Sequence, residues 1–456
     1  MDSHDAMLQK SGKDRRPSSI VITDDADAVR LAELGYTQVL SRKFSVWSLL
    51  GVGFSLTNSW FGLSAAMVTG INSGGTALII YGVIIVACVS VNIRENLSEK
   101  QELVLTLRHV IDKYHVFAAY QVINAFAAIF NCYGKTLPWT ASFTLYVSLI
   151  SFFVILVPSV TPAHKPASFV FATFINNTGW NQPGIAFIVG LINTNWPFCC
   201  LDCATHLSEE VPRPERNIPI AICGTVAIGF VTAWFFAVAM FFSLYGDFEQ
   251  LVSTPTGVPI LALFYSALTG RSAQVAGAIV LESLILATGL GCQIASHTWQ
   301  SRLLWSFARD GGVPGSKYLA VINEKLDVPL RAHLVSCGLV AVVGSLYLGS
   351  YTAFNSMVTA TIVLLYISYA VPIYSLLFVR GRNNIRHGPF WLGRIGMVAN
   401  VVVLCWTIFT LVMYSFPYTM PVAANTMNYV SAVYFAVSVI VAADWIFRGR
   451  KEYGHV

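Results

Sequence analysis

Residues 196–210 read WPFCCLDCATHLSEE and follow closely on the apolar run GIAFIVGLI. Pro197 is a helix breaker, and Asp202 and His206 are titratable. An ionisable group inside lipid is a functional candidate by default, here one that gains and loses a proton. His206 lies one helical turn from Asp202, where it either shares that proton or is a satisfied histidine at the interface. Glu282, in AIVLESLILATGLG, is the other deep acid. It either lines an ion path or bonds a neighbouring helix. Glu209 and Glu210 are expected to pair with Arg213 or Arg216. Residues 51–62, GVGFSLTNSWFG, set Ser55, Thr57, Asn58 and Ser59 beside Trp60, as Asn195 stands beside Trp196. Small hydroxyl and amide residues at mid-helix predict unwound backbone, tolerated in a bilayer only when it lines a cavity or is buried in protein. Freed carbonyls can hold a cation, and a half-helix N-terminus can hold a carboxylate. Trp60, Trp196 and Phe54 can wall an ammonium through cation–π contact, although aromatics at helical spacing also serve plain packing.

The elements that must position these residues are membrane spans. The chain of 456 residues is 55% apolar and only 11% charged, with a mean hydropathy of +0.63. A soluble domain carries about 25% charge, so the expected class is an all-α polytopic protein with the lipid bilayer as its main solvent. Apolar runs fall at about 45–69, 75–93, 114–133, 139–158, 184–207, 218–243, 275–299, 331–349, 353–379, 395–416 and 427–447, eleven in all. Residues 1–44 read as a cytoplasmic tail with a short amphipathic helix, and 448–456 as a second, basic tail. The first 44 residues are polar, without the pattern of a cleavable signal peptide.

The charges can be followed from either end. Arg448, Arg450 and Lys451 set the C-terminus in the cytoplasm. The loops bearing Arg380 to Arg394, Arg302 to Lys325, and Arg213 with Arg216 then fall inside, and the sequon Asn176-Asn-Thr178 falls outside. Arg42 and Lys43 also set the N-terminus inside. An odd number of spans cannot join two cytoplasmic ends, and the conflict is confined to 94–113, IRENLSEKQELVLTLRHVID and its flanking lysine, which is too charged to cross lipid. Lys and Arg lie between the apolar runs and form no nucleic-acid-binding stripe. The cysteines fall in or beside apolar runs and read as small hydrophobes. Adjacent Cys199 and Cys200 would point about 100° apart on a helix, so no metal site is assigned there. No phosphate loop and no nucleophile–base pattern points to an enzyme or a cofactor. The stretch SHTWQSRLLWSFARDGGVPG reads as an amphipathic helix with Arg302 and Arg309 on one face.

The runs GFSLTNSWFGLSAAMVTGINSGG, GKTLPW, FVFATFINNTGWNQPGIAFIVGLINTNWPFCCLDCATHLSEEVPRPERNIPIAI, GCQIASHTWQSRLLWSFARDGGVPG and LGSYTAFNSMVTA resemble fungal members of the amino acid–polyamine–organocation permeases, most closely the choline transporter and GABA permease branch. The resemblance implies a five-plus-five inverted repeat with two extra C-terminal helices. It also implies a plasma-membrane symporter importing an amine or amino acid with a proton, or sodium, as coupling ion. By position, Ser55, Thr57, Asn58 and Ser59 match the unwound first helix of that fold, and Asn195, Trp196 and Asp202 the unwound sixth. Residues 94–113 stand where such permeases have a third span, which leaves about 11 visible spans instead of 12. The competing expectation is a transport-deficient truncated permease that acts as a membrane sensor or partner subunit, or has no function.

Overall fold

The computed structural model describes residues 27, 29, 31, 32, 35, 36, 38–91, 113–156, 165–244, 258–269, 272–384, 387–424 and 426–453. The polar replacement expected at 94–113 lies outside these residues except for Lys113, as do most of the N-terminal tail and the end of the C-terminal one. The chain divides into two units, Met1–Val39 and the body Leu40–Val456. In the first unit a helical turn ends at Gly35, whose φ of 86° suits a glycine closing a helix, with Tyr36 N–H donating to the Leu31 carbonyl at 3.1 Å.

In the body, α1 (Val46–Thr57) is capped by Ser45, whose hydroxyl accepts from the Ser48 amide at 3.2 Å. It stops at Asn58, which is left-handed at φ 31°, ψ 65°. The chain resumes at once as α2 (Ser59–Val91), which reverses at Gly75. A methyl on Gly70 would sit 3.1 Å from the Ile79 side chain, whereas nine residues of straight helix span about 13 Å. Gly75 makes this reversal possible: its φ is 65°, and a Cβ there would lie 2.5 Å from the Thr173 carbonyl oxygen. The first two expected spans are therefore joined by a bend of one residue.

The helices that follow are α3 (Lys113–Asn131), α4 (Leu137–Leu156), α5 (Ala167–Ala172), α6 (Pro183–Gly190) and α7 (Ile192–Asn195). Two 3₁₀ segments come next, Trp196–Phe198 and Leu201–Glu210. After them run α8 (Pro214–Phe242), α9 (Pro259–Ala267), α10 (Gln274–Arg309), α11 (Leu330–Gly349), α12 (Tyr351–Tyr374), α13 (Gly393–Met413) and α14 (Val430–Asp444). Among the described residues no strand occurs beyond the isolated bridge between Asn323 and Val328. The chain is thus all-α, and nine of its described helical stretches are long and apolar enough to cross a membrane. The two other expected spans are also helical. The span at 45–69 is interrupted at Asn58, and α3 is diluted by His115, Gln121, Asn124 and Asn131.

Helix α1 packs against α4, α8 and α10, and α2 packs against α8. Polar groups are buried within an apolar core, and large apolar side chains also cover the outside. Ser55, Asn58, Ser148, Asn195 and Asp202 are buried, while Phe435 and Phe447 are 73% and 79% exposed. An apolar exterior, with polar groups kept inside, is what lipid as solvent demands. The sequon folds inward: the Thr178 hydroxyl donates to Asn176 Oδ1 at 2.6 Å, and Asn176 Nδ2 donates to the Trp180 carbonyl at 2.8 Å.

Candidate functional site

The first break is a single left-handed residue wrapped in neutral groups. Asn58 Nδ2 donates to Ser148 Oγ at 3.0 Å, and the Ser148 hydroxyl donates back to Asn58 Oδ1 at 3.2 Å. Trp60 Nε1 donates to the same Ser148 oxygen at 3.0 Å. The Ser55 and Thr144 hydroxyls lie 2.9 Å apart, and the Thr57 hydroxyl folds back onto the Gly53 carbonyl at 3.1 Å. The Leu56 carbonyl, freed where α1 ends, accepts from the Cys292 thiol at 3.2 Å. Trp60 packs on Phe152 and Phe236, with ring centroids 6.3 and 5.5 Å away. Ser55, Thr57, Asn58, Ser59 and Trp60 are all buried.

The second break is longer, and its chemistry differs. It lies two residues beyond Pro197, at Cys199 (extended, φ −75°, ψ 165°) and Cys200 (left-handed, φ 60°, ψ 30°). The proline contributes a 3₁₀ turn; the cysteines carry the change of direction. Asn195 is fixed from two sides, since Tyr366 donates to its Oδ1 at 2.6 Å and its Nδ2 donates to the Tyr414 hydroxyl. Trp196 packs into the same aromatic cluster, which includes Tyr366, Tyr369 and Tyr414. Asp202 opens the 3₁₀ segment Leu201–Glu210, where a carboxylate meets the positive end of the backbone dipole. Its Oδ1 accepts from the Tyr369 hydroxyl at 2.7 Å, and its Oδ2 lies 3.1 Å from His206 Nε2.

The two breaks touch. The Ser59 hydroxyl donates to the Pro197 carbonyl at 2.8 Å, and a methyl on Gly62 would stand 3.2 Å from Pro197 Cα. Of the residues singled out in the sequence, Ser55, Asn58 and Trp60 turn toward α4, Ser59 meets the second break, and Asn195 and Trp196 turn toward α12 and α13. Asp202 and His206 meet as the spacing implies. Glu282 stands apart: it is buried among Leu281, Ile285 and their apolar neighbours, and its Oε2 has no hydrogen-bond partner among the described residues. A cavity of about 200 Å³ lies near the far end of the first span, lined by Thr69, Asn72, Ser73, Asn177, Asn193 and Tyr418 among others.

The opposite end of the bundle is closed by charge. The Glu210 carboxylate accepts from Arg302 Nε at 2.8 Å and lies 3.0 Å from Lys43 Nζ, and both Arg302 and Glu210 are buried. The Glu210 carbonyl accepts from the Lys43 and Phe44 amides at 3.0 Å each. Lys43 Nζ also reaches Asp327 Oδ2 at 3.0 Å, and Ser41 donates to the same carboxylate oxygen. Burial pushes the Asp327 carboxyl up, but the Ser41 hydroxyl and the Lys43 ammonium outweigh it and hold the group below its ordinary value. Glu209 pairs with Arg309. The chain turns between these glutamates and the expected partners Arg213 and Arg216: Val211 is extended and Arg213 is left-handed. The amphipathic stretch that bears Arg302 and Arg309 supplies a partner to each glutamate, and Lys43 a second one to Glu210.

Sequence reasoning missed Ser148, Thr144, Tyr366, Tyr369 and Tyr414. Each reads as an ordinary residue of an apolar helix, and only the contact with a break gives it a role. The available signal was the count of buried phenols on α12 and α13, each of which needs a hydrogen-bond partner in lipid.

The amino acid permease profile matches residues 98–438. The chain is 43% identical to the choline transporter of Saccharomyces cerevisiae, over 94% of its own length and 85% of that protein. It is 32% identical to the 7-keto 8-aminopelargonic acid transporter of the same yeast, over 93% of this chain and 95% of that one. It is 29% identical to the swainsonine transporter of Arthroderma benhamiae, over 91% and 93%. The alignment with the choline transporter runs over 488 residues, and this chain has 456. That alignment therefore steps across stretches that the relative has and this chain lacks.

Proposed function

Because this chain belongs to the amino acid permease family, we propose that it is built as a secondary active transporter that imports an organic amine or amino acid with a proton. The observation that carries this reading is the meeting of two interrupted helices at Ser59 and Pro197, with the Asp202–Tyr369–His206 group alongside. Broken helices in contact are how a transporter presents polar backbone to a substrate inside lipid.

In this reading Ser55, Thr57, Asn58, Ser59 and Trp60 supply one wall of the substrate site, and Asn195 and Trp196 the other. The amides that open α2 at Ser59 suit a substrate carboxylate. Trp196 with the phenols of Tyr366 and Tyr414 suits a cationic nitrogen. A substrate such as choline, GABA or a related amino acid fits that division. The transporters of choline and of 7-keto 8-aminopelargonic acid are the relatives that support it.

Asp202 is the coupling group. Tyr369 donates to one of its oxygens and His206 stands at the other, and an imidazole beside a carboxylate suits the passing of a proton. This favours a proton over sodium. Glu282 serves as a second, separate proton-carrying acid on α10. The protein acts as a multi-pass plasma-membrane carrier with both ends in the cytoplasm, in a five-plus-five repeat with two further helices.

One observation favours a second reading. An alignment longer than the chain supports the loss of a segment, which we place at 94–113, where the third span of a twelve-span layout would stand. A repeat without one of its helices exposes the site beside it, and the chain then persists as a transport-deficient permease, a sensor or a partner subunit. The test is uptake of radiolabelled choline and GABA in cells lacking their own carriers. This chain is compared with a version in which the segment is restored, each with and without Asp202→Asn. The expected result is uptake by the restored version, little by the chain as it stands, and none with Asp202→Asn. Equal uptake by the two versions would sink the truncation. No uptake of any amine or amino acid by the restored version would sink the carrier.

A further inference from the structure

We propose that His297, His333 and Cys337 form a metal site at the junction of α3, α10 and α11, and that it takes a thiophilic d¹⁰ ion, Zn(II) or Cu(I). None of the three residues belongs to the breaks or to the charged end of the bundle. Their ligand atoms all lie within 4.8 Å of one another. Cys337 Sγ is 3.3 Å from His297 Nδ1 and 3.7 Å from His333 Nδ1. Two ligands at ordinary zinc–sulfur and zinc–nitrogen lengths stand about 3.5 Å apart at a tetrahedral angle, so these separations need little adjustment to close on an ion.

The imidazole of His333 is prepared for the task. Its Nε2 lies 3.0 Å from the Ala128 carbonyl oxygen, which can only accept. The proton therefore sits on Nε2 and Nδ1 carries the lone pair; Cys337 Sγ lies 3.7 Å from Nδ1 and 3.8 Å from Nε2, so the ring must turn to aim Nδ1 at an ion shared with the thiol. A ring nitrogen donating to a backbone carbonyl while the other binds is the usual outer partner of a metal-bound histidine. Spacing does the rest: His333 and Cys337 are four apart on α11 and share a face, and His297 comes from α10, which packs against it.

Helix α3 closes the third side. Asn124 Nδ2 donates to the Cys337 carbonyl at 3.3 Å, and its Oδ1 is buried without a hydrogen-bond partner among the described residues. An unpaired acceptor beside the cluster suits a water that completes the coordination of an ion. Both histidines are buried, so an ion bound here ties three helices from within. On binding, the Cys337 thiol releases its proton. A Cu(I) site with one thiolate is then net neutral, as burial favours, and a Zn(II) site keeps one positive charge.

The test is elemental analysis of the full chain, purified without a histidine tag and washed with a mild chelator. The expected content is about one zinc or copper per chain, and the element found decides between the two ions. Cys337→Ser and His297→Gln should each lower it at least tenfold while the chain still elutes as a single species. If neither variant folds, the wild-type chain answers alone: loading with Co(II) should give a thiolate-to-cobalt charge-transfer band, and a strong chelator should expose Cys337 to alkylation. Metal content unchanged in both folded variants, or a wild-type chain with neither metal nor a cobalt band, would overturn the proposal.

Discussion

The two breaks differ in what holds them. The first is one left-handed residue, Asn58, whose amide is satisfied from both sides by the neutral hydroxyl of Ser148. The second spans two cysteines, is flanked by 3₁₀ backbone, and is anchored through phenols to Asn195 and to the titratable Asp202. A 3₁₀ segment has poorer hydrogen-bond geometry than an α-helix, and a run of ten residues is unusually long, often the mark of a hinge. The first break is built to stay as it is. The second, with a carboxylate and a long 3₁₀ run, is the one expected to change if either does.

The contrast can be broken most sharply at Asp202. In the version with the segment restored, Asp202→Asn should lower uptake by about tenfold or more, the worth of a hydrogen bond to a charged group. It should also flatten the pH dependence of uptake, measured with radiolabelled substrate. Tyr369→Phe leaves one carboxylate oxygen with a lost donor and should lower uptake about tenfold, with expression preserved. Ser148→Ala strips the first break of its shared partner. Asn58 and Trp60 are then left with unsatisfied groups, so the cost should appear as about 1–3 kcal/mol of stability in a thermal melt, with the pH profile of uptake unmoved. A pH profile that shifts with Ser148→Ala but not with Tyr369→Phe would reverse the assignment of the two roles.

A finer comparison uses the two left-handed residues. Glycine adopts that conformation without the steric cost of about 1 kcal/mol that other residues carry. Cys200→Gly removes that cost but also a side chain buried with Leu56, Cys203, Ala295 and Trp299, so its melting temperature should fall less than that of Asn58→Gly, where the amide bonds to Ser148 are lost with the side chain. The smallest effect concerns the point where the ends of both broken helices are tied. Asp327 is held below its ordinary value, so its contribution is fully present above about pH 4 and fades as the pH falls through its folded value. The melting temperature of the wild type should exceed that of Asp327→Asn by a constant margin from pH 5 to 7, and the margin should close in stronger acid.

Much of this arrangement was legible in the sequence. Small polar residues beside Trp60 and Trp196 marked both breaks, because backbone that unwinds in lipid must supply its own partners. The place of the second break was not legible. Proline is the residue that signals interruption, but Pro197 is accommodated in a turn, and Cys200, with no special liking for left-handed backbone, is held there by tertiary packing. The anchors were equally hidden: Ser148 lies 90 residues from Asn58, and Arg302 lies 92 from Glu210. No local periodicity encodes such pairs. The gap between the apolar runs 45–69 and 75–93 marks where the chain turns, but nothing in it announces that the turn is a bend of a single residue, Gly75.

The pairing of Glu210 with Arg302 and Lys43 bears on the speed of the transport cycle. Because Arg302 and Glu210 are buried, those two cannot part until water enters to solvate them. Release toward that side should consequently be an activated event, steep in temperature. Salt should weaken the pairing only through the part-exposed Lys43, since dissolved ions do not reach the buried Arg302–Glu210 pair.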